Sequence, residues 1–286
     1  MLSTLFAPFF EFAFMRRALI GAYVLSLGAA PIGVFLMLRR MSLVGDAMAH
    51  AILPGAALGY LLAGLSVGFM TAGGLAAGMI VALLAGLVTR FTIMREDAAL
   101  ASFYLISLAL GVVLISIKGS NIDLLHVLFG TVLSLDNPTL ILLSVTTSIS
   151  LLALAVIFRP LVLESVDPVF MKTQGQSGAI AHLTFLALVV INLVAGFHAL
   201  GTLLAVGLMM LPAFAARFWA QSLGALIASA TLVAFIASTV GILASYHLNT
   251  PTGPTVILAA GLIYIVSILI GSQNGLLTRI RRQSGS

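Results

Sequence analysis

Long apolar stretches, parted by short polar ones, run almost the whole length of this chain. Nine stretches are read as spans: Ala18–Leu38, Val44–Leu65, Val67–Thr89, Ala98–Ser116, Thr139–Phe158, Ala179–Phe197, Leu200–Ala216, Leu223–Tyr246 and Thr255–Ser272. Each is near the ~20 residues a helix needs to cross the hydrocarbon layer of a bilayer. The pattern predicts an all-α fold, a polytopic transmembrane helical bundle of about nine spans forming a single domain over residues 1–286. Its tightest connections fall near Gly64–Gly68 and Gly196–Gly201.

The basic residues orient these spans. With nine alternating spans, one side receives Arg39, Arg40, Arg90, Arg95, Arg159, Lys172, Arg217, Arg279, Arg281 and Arg282. The other side receives only Arg16, Arg17 and Lys118. Cytoplasmic loops carry an excess of Lys and Arg, so the richer side is cytoplasmic. The N-terminus is then outside and the C-terminus inside. The aromatic segment Leu5–Phe14, around Glu11, is read as lying along the outer interface.

Composition supports a lipid environment. Apolar residues make up 61% of the 286, charged residues 7%, and mean hydropathy is +1.22. A soluble domain carries roughly 25% charged residues, and no water-soluble fold of this size could cover its surface with so few. The 27 glycines suit close helix packing in a bilayer. A formal charge of +5, spread along the chain, is no nucleic-acid signal. The chain has no cysteine, so neither thiolate ligands nor disulfides are available. No removable signal peptide is evident, because the first strong apolar run is too long for an h-region.

Two connections are long enough to do more than connect. Lys118–Pro138, outside on this topology, carries Asp123, His126 and Asp136, with an apolar stretch Leu124–Leu135 read as a short surface or re-entrant helix. Arg159–Gly178 is cytoplasmic, and its centre, DPVFMKTQG, has the signals of a short amphipathic helix. Asp167 stands at the cap, Pro168 in the first turn and Gly175 at the stop.

Ionisable groups within the spans mark function by default, since a membrane interior penalises them. Asp46 and His50 stand at i and i+4 on one helical face. An oxygen and an imidazole nitrogen suit zinc or manganese alike. The same spacing also fits an interfacial Asp at a helix start, with His50 an unrelated polar neighbour. Pro54 and Gly55, one turn later, could kink the helix and expose carbonyls to a pathway. His198 lies between two apolar runs beside Gly196 and Gly201. It is read as a third ligand, an outer-mouth residue, or one bonded to a backbone carbonyl. Asp123 with His126 is a weaker outer metal-contact candidate, and His182 and His247 sit at span ends. No Walker motif, HExxH site, catalytic triad or CxxC is present. The chain is therefore read as no enzyme, with no catalytic residues, and uphill transport would draw energy from a partner or an ion gradient.

Four motifs add a resemblance. LRRMSLVGDAMAHAILPGAALG (Leu38–Gly59), LLHVLFGTVLSLD (Leu124–Asp136), ALGTLLAVGLMMLPAFAAR (Ala199–Arg217) and TPTGPTVILAAGLIYIVSIL (Thr250–Leu269) resemble, in order, the membrane permeases of bacterial metal-uptake ABC transporters. That resemblance implies a multi-pass permease of the bacterial plasma or inner membrane, working as a homodimer. Two cytoplasmic ABC ATPase subunits would hold the ATP, and an extracytoplasmic binding protein would deliver the metal. No cofactor is bound permanently. The cargo is a divalent metal, with zinc preferred and manganese or iron as the other choices. Asp46 and His50 map onto the family's metal-path residues. Asp167, Pro168, Phe170, Met171 and Gly175 resemble the segment that docks on the ATPase, with Arg90–Asp97 and Arg217–Ser222 the next candidates. An ion-gradient-driven secondary metal transporter is the competing reading.

Overall fold

The computed structural model describes residues 2–64, 66–117, 135–166, 178–273 and 275–277. Their elements are α-helices: α1 Leu2–Glu11, α2 Ala13–Leu38, α3 Val44–Ala63, α4 Val67–Phe91, α5 Glu96–Ile117, α6 Asn137–Val166, α7 Ala179–Leu200, α8 Thr202–Ala216, α9 Leu223–Leu248 and α10 Thr252–Ile270. A helix pairs all its interior backbone groups within itself, which is what lipid demands. Seven of these helices are long and apolar enough to cross a membrane: α2, α3, α4, α6, α7, α9 and α10. α5 has 22 residues, with its described apolar part at Asp97–Gly111, and α8 has 15. Each of the nine sequence spans overlaps one of the helices α2 to α10.

Hydroxyl groups follow the same rule. Ser26, Thr231, Thr239 and Ser267 each donate to the carbonyl four residues back, at 2.6 to 2.9 Å. This satisfies a polar side chain without any water.

Two boundaries differ from the sequence expectation. The sixth helix runs to Val166, well past Phe158, straight through Arg159–Pro160. A proline forfeits one helical hydrogen bond, but Leu161 is fully buried and holds that turn in the core. The connection read as Arg159–Gly178 therefore begins in a helix. Its centre, 167–177, lies outside the described residues, as do Asp123 and His126. The α7–α8 break is a single residue, Gly201, at φ 91°. A residue with a Cβ rarely adopts that conformation.

The chain forms two compact units: Met1–Met37 with Leu124–Thr147 and Ala199–Ser286, and Leu38–Asp123 with Ser148–His198. In the first, Gly33 of α2 lets the Met209 carbonyl of α8 approach, and Gly241 of α9 packs on Val256 of α10. Tyr23 stacks on Phe235 at 4.4 Å and its hydroxyl meets Thr239 at 2.7 Å. In the second, α3 packs against α4 through Gly55 and Gly73 and against α5 where Pro54 meets Gly111. Buried Asn192 of α7 donates to Ser150 of α6 at 2.7 Å.

Candidate metal-path site

The α3 helix begins at Val44, directly after the polar turn that follows α2. Asp46 occupies its first turn, where the positive end of the helix dipole favours a carboxylate. One turn on, His50 Nε2 lies 3.8 Å from Asp46 Oδ1. Two donors on a tetrahedral metal with bonds of ~2.0–2.2 Å would stand roughly 3.4 Å apart. A small side-chain rotation closes that difference. Both groups are reachable, with Asp46 67% and His50 35% exposed, so an ion could be taken and released. The Tyr104 ring of α5 flanks the imidazole at 6.1 Å.

Asp46 also lines a cleft of about 110 Å³ together with Leu43, Ala47, Leu100, Tyr104 and Asp97. Asp97, at the start of α5, keeps one carboxylate oxygen buried with no hydrogen-bond partner among the described residues. A bare carboxylate oxygen in a cleft shared with another carboxylate is costly unless a cation visits. Sequence reasoning named Asp97 only as the end of the Arg90–Asp97 docking candidate and not as a metal contact, because nothing local links it to Asp46. Only the packing of α3 against α5 brings it to Asp46.

The helix stays continuous through Pro54, to Ala63. Pro54 still lacks an N–H for the His50 carbonyl four residues back. The neighbouring Ala51 carbonyl takes the Ser107 hydroxyl of α5 at 3.1 Å.

His198 is placed elsewhere. Its Nδ1 lies 3.1 Å from the Val194 carbonyl, which makes Nδ1 the donor. Its Nε2 is buried without a partner among the described residues. Those residues contain no group of three His, Cys, Asp or Glu side chains placed to hold one metal. The structure therefore brings Asp46 and His50 together but does not add His198 to them. His182, near the start of α7, is buried and bonded to Arg39. His247 is at the end of α9, against Tyr246. The coupling residues Asp167, Pro168, Phe170, Met171 and Gly175 lie outside the described residues.

Comparison with known proteins decides the family. The model of the ABC 3 transport family matches residues 11–271. The chain belongs to the ABC 3 transport family. This ABC-3 chain is a permease of the metal-uptake ABC transporter class and a multi-pass protein of the bacterial plasma membrane. It is 32% identical over 260 residues to the manganese import system permease protein ScaB of Streptococcus parasanguinis, covering 91% of each chain. It is 29% identical over 273 residues to the manganese transport system membrane protein MntC of Listeria monocytogenes, covering 96% of each. Among solved structures, PsaBC from Streptococcus pneumoniae in complex with Fab aligns with a TM-score of 0.83 at 29% identity, over 99% of this chain and 100% of that one. These relatives are named for manganese, so the zinc preference drawn from the motifs finds no support among them.

Proposed function

We propose that this chain is the membrane subunit through which an ATP-driven importer passes manganese into the cytoplasm. The observation that carries the reading is the Asp46–His50 pair, converging at 3.8 Å on the first turns of α3. Full-length similarity to permeases named for manganese supports the choice of cargo. Donor chemistry agrees, because oxygen-rich sets suit manganese while softer ligands suit zinc. Asp97 supplies a further carboxylate beside Asp46, and the His50 carbonyl is a further oxygen. The ion crosses as substrate, held briefly by Asp46 and His50; His198 serves as a separate contact on α7.

In the same reading, residues 1–286 act as one permease domain with nine spans, N-terminus outside and C-terminus inside. Two copies pair in the membrane, two separate ATPase subunits dock from the cytoplasm, and an extracytoplasmic protein delivers the metal. Asp167, Pro168, Phe170, Met171 and Gly175 form the docking segment. By sequence it carries an apolar trio, Val169–Phe170–Met171, among polar residues, a pattern of the kind that marks a partner surface.

Manganese uptake into proteoliposomes holding the assembled importer tests this function. Asp46→Asn and His50→Ala should each lower uptake by roughly tenfold or more, as loss of groups around a metal does, while the ATPase stays bound. Wild-type uptake by the double variant at limiting manganese would remove the pair from the path.

A further inference from the structure

Arg39 stands in the turn between α2 and α3, seven positions before Asp46. Its Nη2 hydrogen-bonds His182 Nδ1 at 2.8 Å and forms an ion pair with Glu164 Oε2 at 3.3 Å. Glu164 lies near the end of α6 and His182 near the start of α7. Because a guanidinium can only donate, His182 Nδ1 must accept, which places the imidazole proton on Nε2. The guanidinium also lies over the Phe185 ring of α7, 5.5 Å from its centroid, within the range of a cation–π contact. The pair is largely shielded, with the Arg39 and Glu164 side chains 11% and 18% exposed. Removing one member of such a pair leaves the other charge uncompensated. Gly178, at the head of α7, packs directly on the Glu164 carboxylate.

Two details set this network apart from an ordinary ion pair. Arg40, the next residue, has φ 59°, a left-handed conformation that a long side chain adopts only when the surroundings impose it. The other terminal nitrogen, Arg39 Nη1, is buried with no partner among the described residues. The fork therefore has capacity for an acceptor beyond those the described residues supply.

We infer that Arg39 is a positioning residue for energy coupling: it ties the turn that leads into the metal helix α3 to the two helices that flank residues 167–177. Movement of the ends of α6 and α7 relative to each other would pull on a strained turn seven positions from Asp46. The inference rests on the reading of 167–177 as the ATPase docking segment. Spatial continuity alone does not establish coupling, so the measurement must be of coupling itself.

The importer, reconstituted with its ATPase and delivery protein, is assayed for manganese moved per ATP hydrolysed. In Arg39→Gln this ratio should fall about tenfold, with the complex still assembled and ATP still turning over. A merely structural role would lower yield and melting temperature but leave the ratio of the surviving complex unchanged, and that result would overturn the inference. If Arg39→Gln does not assemble, Glu164→Gln is read instead: a lowered ratio supports the tether, a wild-type ratio refutes it. The double variant Phe170→Asp, Met171→Asp is measured alongside. If it keeps the normal ratio, the docking assignment of 167–177 fails and the tether fails with it. If it uncouples while Arg39→Gln does not, the tether fails alone.

Discussion

Gly55 of α3 and Gly73 of α4 face each other so closely that a Cβ added to either would overlap the other's carbonyl oxygen. The two helices therefore meet backbone to backbone, one turn beyond His50. On the adjoining side, the Pro54 ring rests on Gly111 of α5, where an added Cβ would lie 2.9 Å from its Cγ. The helix that carries the Asp46–His50 pair is thus held at one level by three glycines on three helices.

This contact makes Gly73→Ala costly, because the obstacle is backbone and cannot rotate away. Overpacking of this kind costs about 1–3 kcal/mol, and it should appear as a lowered melting temperature in detergent together with reduced uptake. Gly261→Ala is the control, since nothing lies within 4 Å of its added Cβ. Equal behaviour of the two variants would show that the α3–α4 crossing tolerates separation.

Asp97 bears on metal choice. Asp97→Asn keeps the shape of the cleft and removes the charge from its unpartnered oxygen. Manganese uptake should fall more than zinc uptake in competition assays, because the remaining set of Asp46 and His50 no longer favours a hard cation. An unchanged manganese-to-zinc ratio would exclude Asp97 from the path.

Asp136 sets a pH-dependent cap on α6. Its Oδ1 accepts the Thr139 amide at 3.0 Å. The hydrogen bond from the Thr139 side chain, then that from its amide, holds the carboxyl below its ordinary range. A depressed carboxylate stabilises the fold above its unfolded pKa, and that contribution is lost as pH falls through the folded value. The protection of the Thr139 amide, its exchange rate relative to the intrinsic rate at the same pH, should therefore fall on acidification below the ordinary carboxylate range. Asp136→Asn should flatten that dependence.

Topology can be read by labelling, since the native chain has no cysteine. A Ser3→Cys variant should react with an impermeant reagent on intact cells, whereas Ser284→Cys should react only after permeabilisation. The reverse pattern would invert the assignment made from the basic residues.

Much of this protein was legible in its apolar pattern. In lipid a long apolar run satisfies its own backbone only as a helix, so run length alone located helices such as Val44–Ala63 and Val67–Phe91 to within a few residues. The Asp46–His50 pair was equally legible, because i and i+4 share a face whatever surrounds the helix. What the pattern could not supply was anything that depends on a second helix. The extension of α6 past Pro160 rests on the burial of Leu161. Asp97 joins Asp46 only because α5 packs against α3. Arg39, one of many cytoplasmic arginines by sequence, is singled out by acceptors 125 and 143 residues away. Local periodicity encodes which segments enter the membrane. Which side chains meet there is set by how their helices pack, and no single segment carries that information.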